Sequence, residues 1–404
     1  MTPLLLPFFD SLEYIDDCAP PSFLTPEQAQ DVQVTLGFLK SYVGSQGTFN
    51  SYRREVERLL QWCFLVSHKT LRDLRREDIE AFVHFCQSPP KAWVGLKKAP
   101  RFMDNGLHRL PNPEWRPFVV TLSKTAHRKG ERPEKKGFDL SLGSIKEVFA
   151  ILSTFFNYLL QEDYATMNPV ALMRQKSKFL RKQQGPAKVR RLSPLQWESV
   201  MDCAHHLAKM DPEAHERTLF MMSMLYTLYL RISELTASAR WAPKMNDFHR
   251  DSTENWWFTT VGKGNKQRDI AVSNDMLDAL RRWRKHLGLS PLPSPADTSP
   301  LLPRIKGKGA IACTTYVRKM VQYCFDQTID QLRKEGLEED AESLAEATVH
   351  WLRHTGISDD VKRRPREHVR DDAGHSSSAT TDKYIDIELI ERHRSARHKP
   401  VVPA

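Results

Sequence analysis

Apolar positions recur at intervals of three and four residues through most of this chain, the spacing that builds one face of an α-helix. Thr25-Pro26-Glu27 reads as a cap followed by a proline start, and Val32, Leu36, Phe38 and Leu39 supply the buried stripe before Gly44. A second helix is predicted from Asn50 or Ser51, with Tyr52, Val56, Leu59, Leu60, Cys63 and Phe64 on its apolar side. Leu71, Leu74, Ile79, Phe82, Val83 and Phe85 mark a third. Ser144 and Glu147 have capping-box spacing ahead of Ile145, Val148, Phe149, Leu152, Phe155, Phe156, Leu159 and Leu160, the clearest amphipathic stretch of the N-terminal half.

The interruptions divide the chain. Residues 1–24 are proline-rich and irregular, and predict an extended or partly disordered arm before a helical domain spanning 25–173. Within that domain, residues 88–141 break the pattern with prolines at 89, 90, 100, 111, 113, 117 and 133, and read as a long insertion. Trp93, Phe102, Trp115 and Phe118 predict that parts of it pack, and RKGERPEKKG at 128–137 reads as a solvated loop. Residues 174–191 carry eight basic side chains, no acidic ones and a Gly185-Pro186 step, which reads as an interdomain linker. A second domain, 192–404, follows. It opens with the amphipathic LSPLQWESVMDCAHHL, and residues 217–230 are apolar on nearly every face, which predicts a buried helix. The strand-like runs 256–261 and 268–272 flank Gly262-Lys263-Gly264-Asn265-Lys266, a hairpin turn. Helices are expected at 274–287, 314–333 and from His350, separated by a proline-rich loop at 288–304 and an acidic surface excursion at 334–347. The fold class is mainly α with a small β-sheet or hairpin, in two domains.

Composition narrows the partner. Lys and Arg outnumber Asp and Glu by 60 to 50 in 404 residues, a formal charge of +10 that favours a polyanion. The six cysteines form no CxxC pair and have no zinc spacing with histidine, so they read as reduced thiols. The apolar opening MTPLLLPFFDSLEY lacks a basic flank and a cleavage site, and no run of ~18 apolar residues occurs. These features predict a soluble cytoplasmic protein with no membrane partner.

The chemistry is concentrated late in the chain. HWLRHT places His350 and Arg353 three apart on one helical face, and GHSSSATTDKY puts His375 behind a glycine turn with Tyr384 nine residues on. A guanidinium holds nonbridging phosphate oxygens, imidazoles donate or move protons, and a phenol can act as covalent nucleophile, so the set suits a phosphodiester without a metal. HxLRH followed by GHSS-x-x-TT-x-x-Y resembles the C-terminal signature of the tyrosine recombinases, or phage integrase family. LRISEL at 230–235 resembles that family's first catalytic-arginine motif, with Arg231 as the arginine, and GKGNKQR resembles its β-hairpin lysine motif, with Lys263 as the lysine and Lys266 in reserve. Two departures stand out: Tyr229 where glycine is usual, and Ala373 where leucine is frequent.

The resemblance implies a helical core-binding domain and an α+β catalytic domain that clamp double-stranded DNA. It implies Arg231, Lys263, His350, Arg353, His375 and Tyr384 as the catalytic set, with no cofactor or metal, acting on the DNA of a bacterial nucleoid. Phosphate contacts are expected from the linker residues Arg174, Lys176, Lys178, Arg181, Lys182, Lys188, Arg190 and Arg191. Four protomers on two DNA sites are implied, with a C-terminal element docking onto a neighbour and possible accessory DNA-bending or directionality proteins. The function so implied is site-specific recombination through a 3′-phosphotyrosyl intermediate, in integration and excision of a mobile element or in resolution of DNA dimers. The competing readings are a type IB topoisomerase-like enzyme and a catalytically silent DNA-binding protein on the same fold.

Overall fold

The computed structural model describes residues 5–106, 108–171, 173, 190–262, 264–375, 377–381 and 397. The chain divides into two compact units, Met1–Pro186 and Ala187–Ala404, each with its own apolar core.

In the first unit, α1 (Pro26–Lys40) starts at Thr25, whose side chain accepts from the Gln28 backbone while the Gln28 side chain accepts from that of Thr25. Helix α2 (Gln46–Trp62) begins earlier than its apolar stripe indicates, with Ser45 before it, and runs into a π-turn that stops at His68, φ +54°. Leu71–Asp73 is a separate 3-10 turn, so α3 covers only Arg76–Gln87. Helix α5 (Leu142–Gln161) is capped by Ser141 and not by Ser144: the Ser141 hydroxyl accepts from the Ser144 backbone at 3.2 Å, which places Ser144 inside the first turn.

The N-terminal segment is a correction to the sequence reading. Instead of an extended arm, Leu5, Phe8, Phe9 and Ile15 are buried in the first core. Its backbone is held at both kinds of group. Glu57 accepts from Phe8 and Phe9 at 2.6 and 3.1 Å, Gln61 donates to the Leu6 carbonyl at 2.8 Å, and Arg101 donates to the Phe9 carbonyl at 3.1 Å. The insertion supplies Arg101 and also Arg109, which pairs with the Asp10 carboxylate. It is built of short pairings: β1 (Val94–Gly95) runs parallel to β4 (Phe118–Val119), and β2 (Phe102–Asp104) pairs antiparallel with β3 (Arg109–Pro111). Trp93, Val94, Trp115 and Phe118 are buried, and Arg58 donates to the Pro117 carbonyl while lying over the Phe118 ring. The basic stretch beyond it carries a one-turn helix, α4 (Lys124–Arg128), with no buried residue.

The second unit is a helical body with one small sheet. Helices α6 (Pro194–Met210), α7 (Pro212–Thr227) and α10 (Thr314–Lys334) pack through Val200, Cys203, Phe220, Met221, Leu225, Val321 and Phe325. The antiparallel sheet is β5 (Phe248–Arg250), β6 (Trp256–Val261) and β7 (Gln267–Ala271), and α9 (Asn274–His286) follows it. The acidic segment is not a surface excursion. Its residues form α11 (Glu338–Glu346), with Ala341, Leu344 and Ala345 buried and the Asp340 carbonyl accepting from Gln196 at 3.1 Å. Short α8 (Ile232–Leu235) follows α7, and α12 (Val349–Asp360), α13 (Arg366–Ala373) and α14 (Ser378–Thr381) close the described part. Among the described residues no helix is long and apolar enough to cross a membrane.

Candidate active site

The site is assembled where the end of α7, the β6–β7 turn and α12 to α14 meet. Helix α12 comes very close to the end of α7: a Cβ on Gly356 would lie 2.0 Å from the Tyr226 carbonyl oxygen, so no side chain fits there. Beyond α7 the chain turns through Tyr229, which is fully buried at φ +49°. That backbone region costs a non-glycine residue on the order of 1–3 kcal/mol and persists only where the surroundings hold it. The turn delivers Arg231 to the head of α8.

Arg231 is paired from below. Glu234, one turn on and 1 % exposed, accepts the Arg231 backbone at 2.8 Å and its guanidinium at 3.0 Å. The same carboxylate takes both arms of Arg268, from β7, at 3.0 and 2.9 Å. Burial alone would raise the Glu234 pKa, but these hydrogen bonds and charges outweigh it and hold the group below the ordinary carboxylate value. One buried anion therefore fixes two guanidinium groups, and Arg268 reaches on to the Asp372 carbonyl at 2.9 Å. Gly262 leaves room for them, because a Cβ there would lie 2.9 Å from both the Arg268 guanidinium and the Glu234 carboxylate and one of these would have to shift.

Arg353 is 2 % exposed and lies on α12. It donates to the Tyr229 carbonyl, to the Ala373 carbonyl at 2.7 Å, and sits 3.3 Å from Nε2 of His375. A guanidinium has no acceptor, so Nε2 offers its lone pair and Nδ1 carries the proton, donating to Thr381 Oγ1 at 2.9 Å. His375 is accordingly pushed down to about 4, first by burial and then by the charges of Arg353, Arg231 and Arg268. His354 is likewise pushed down to about 4, by burial and then by His350, Arg353 and Arg190. His350 stacks edge-on against His354 with ring centroids 4.4 Å apart, and its pKa is also lowered, first by burial and then by the charges of Arg353, Arg231 and Arg190. Arg231, Gly262, Lys266, Gln267, Arg268, Asp371, Gly374 and His375 line a cleft of about 290 Å³. A concave site rimmed by fixed cations, with a neutral imidazole at its wall, is suited to a phosphodiester.

Of the residues expected from the sequence, Arg231, His350, Arg353 and His375 therefore converge. Lys263 and Tyr384 lie outside the described residues, as do Arg174, Lys176, Lys178, Arg181, Lys182 and Lys188. The reserve lysine, Lys266, is exposed at the cleft rim. Arg190 is exposed and near enough to act on His350 and His354. Sequence reasoning missed Glu234, Arg268 and Thr381 as members of the site. The i, i+3 spacing of Arg231 and Glu234 was a usable signal, whereas the Glu234–Arg268 pair spans 34 positions and had none.

Residues 190–389 match the family model described as the phage integrase family. The tyrosine recombinase XerC of Alcanivorax borkumensis is 25% identical over 275 residues, covering 67% of this chain and 74% of that one. The fold is similar to that of the XerH site-specific recombinase in its post-cleavage complex with a palindromic difH substrate, with a TM-score of 0.54 at 14% identity, over 96% of this chain and 93% of that one. It is also similar to the Tn1549 transposon integrase in complex with circular intermediate DNA, with a TM-score of 0.50 at 15% identity, over 91% and 98%. The family match covers the unit in which the arginines and histidines converge, and residues 190–389 belong to the phage integrase family.

Proposed function

We propose that this site-specific recombinase cuts and rejoins DNA with Tyr384 as nucleophile and Arg231, Lys263, His350, Arg353 and His375 around the scissile phosphate. The cleft lined by Arg231 and His375, with the buried Arg353 guanidinium 3.3 Å from His375 Nε2, carries the reading. In the forward step the Tyr384 oxygen forms a bond to phosphorus and the bond to the 5′-oxygen breaks, leaving a 3′-phosphotyrosyl link and a free 5′-hydroxyl. The phenolic proton leaves through His350, and Lys263, or Lys266 in its place, protonates the departing 5′-oxygen. A phenol with a pKa near 10 needs that help at neutral pH. Arg231 and Arg353 stabilise the charge that builds on the nonbridging oxygens, and they do so without reorganising, because Glu234 and two carbonyls already hold them. Phosphodiester energy is retained in the protein–DNA bond, so rejoining needs no nucleotide.

The same chemistry serves integration and excision of a mobile element or resolution of DNA dimers, and the target DNA is what separates these tasks. Exchange between two duplexes requires four protomers on two sites, with accessory DNA-bending or directionality proteins setting the outcome. The deciding experiment incubates wild type and Tyr384→Phe with nicked duplexes from the DNA flanking its own gene, then runs denaturing gels. An SDS-resistant adduct with wild type alone is expected. Specific binding without an adduct would assign the chain to the silent DNA-binding reading, and, on an intact supercoiled plasmid carrying the same DNA, relaxation without strand exchange would assign it to a topoisomerase-like activity.

A further inference from the structure

We infer that Tyr229 and Ala373 act together as positioning residues for Arg353, a pair whose carbonyls clamp the guanidinium and whose side chains fit each other. The inference rests on the catalytic reading above.

Three observations carry it. The carbonyls that accept from Arg353 belong to Tyr229 and to Ala373, on either side of the guanidinium. The side chains of the same two residues meet in a small buried cluster of their own, with Ile357 and Val369, separate from the main core of the unit. Both residues are fully buried in that cluster, one of them large and the other small, so a bulkier residue at 373 would have to take its space from the cluster that the ring helps to fill.

The third observation is the hydroxyl. Tyr229 donates to the Asp360 carboxylate at the end of α12, the helix that carries Arg353, and accepts from Arg364 at 2.9 Å. Arg364 continues to the Asp372 carboxylate at 2.6 Å, next to Ala373. Burial first, and then the Asp360 charge, push the phenol above its ordinary value, so it stays protonated and keeps donating. The turn that presents the first carbonyl, the helix that presents the arginine and the helix that presents the second carbonyl are thus tied through one buried phenol. A non-glycine residue at φ +49° needs such a reason to be there.

The test uses the full chain in single-turnover adduct formation on the nicked duplex, with DNA affinity measured separately. Tyr229→Gly relaxes the backbone but removes the ring and hydroxyl; Tyr229→Phe removes only the hydroxyl; Ala373→Leu refills the cluster. Adduct formation is expected to fall about tenfold or more in Tyr229→Gly and severalfold in Tyr229→Phe, with affinity within about twofold of wild type. Adding Ala373→Leu to Tyr229→Gly is expected to restore most of the rate, although Ala373→Leu alone lowers it.

A second substrate separates positioning from general structure. Replacing the scissile phosphate by a neutral methylphosphonate removes the charge that Arg353 is placed to meet, so the Tyr229→Gly defect should shrink to within about threefold. A defect of equal size on both substrates, or no defect on the normal phosphate, would overturn the inference. Failure of wild type to form any adduct on DNA that it binds specifically would instead overturn the catalytic reading, and the inference with it.

Discussion

At the scale of single residues, the site is organised around charges that are held in place before substrate arrives. Glu234 balances Arg231 and Arg268, whereas Arg353 is met by carbonyl dipoles and by a neutral imidazole. That difference has a pH consequence at His375. Its folded value is depressed to about 4, below the ordinary 6.5, so its contribution to stability is complete above pH 6.5 and is lost as the pH falls towards 4, because the unfolded chain takes up the proton first. A phosphate in the cleft acts in the opposite direction: its charge offsets the arginines, raises the imidazole pKa and lets Nε2 carry a proton to a nonbridging oxygen. NMR titration of the His375 ring should therefore find it near 4 in the free protein and shifted upward by about a unit or more on DNA. An ordinary histidine titration in the free protein would count against a buried imidazole beside these arginines. The motifs made the candidate catalytic groups legible, but not their supports. Thr381 and Tyr229 act through a hydroxyl and a carbonyl that no spacing rule marks.

At the scale of elements, periodicity located most helices and failed where partners are remote. The stripes of α1, α2 and α5 were legible because one helix face decides them, although the caps at Ser45 and Ser141 lay upstream of the first apolar residue. The N-terminal segment looked like an arm because its proline-rich sequence has no period. Its order comes from Glu57, Gln61, Arg101 and Arg109, which lie about 50 to 100 positions away. Helix α11 was hidden by its acidic face, since only Ala341, Leu344 and Ala345 are buried. The close crossing of α12 and the end of α7 yields a sharp expectation. In Gly356→Ala the new methyl must displace backbone and not a flexible side chain, because the Tyr226 carbonyl occupies its place. Overpacking of this kind costs about 1–3 kcal/mol or more. Thermal unfolding of the variant should shift down by several degrees, and adduct formation should fall further than stability, since the same crossing sets Arg353 and the Tyr229 turn. An unchanged melting temperature would mean that the two helices separate without cost.

At the scale of the whole molecule, affinity and chemistry are expected to be divided between different cations. Arg353 is buried and held by carbonyls, and Arg231 is paired with Glu234, so neither is placed to supply general attraction to the duplex backbone. The eight basic residues of 174–191 have no acidic neighbour in sequence, and they are the group proposed to neutralise phosphates along the DNA. Each phosphate so neutralised contributes a slope of about −0.9 to log affinity against log salt, from counterion release. Replacing Lys176, Lys178, Arg181 and Lys182 by glutamine should then flatten the slope by up to about 3.6 and weaken binding to cognate and random duplexes alike. The rate of adduct formation from fully bound complex should stay within about twofold of wild type, because none of the four touches the scissile phosphate in this assignment. The opposite pattern, an unchanged slope with slowed cleavage, would transfer these residues from holding the DNA to building the site. It would also mean that the excess positive charge of the chain acts on the duplex through some other surface, with the basic stretch beyond Phe118 in the first unit, exposed around α4, the next to be neutralised.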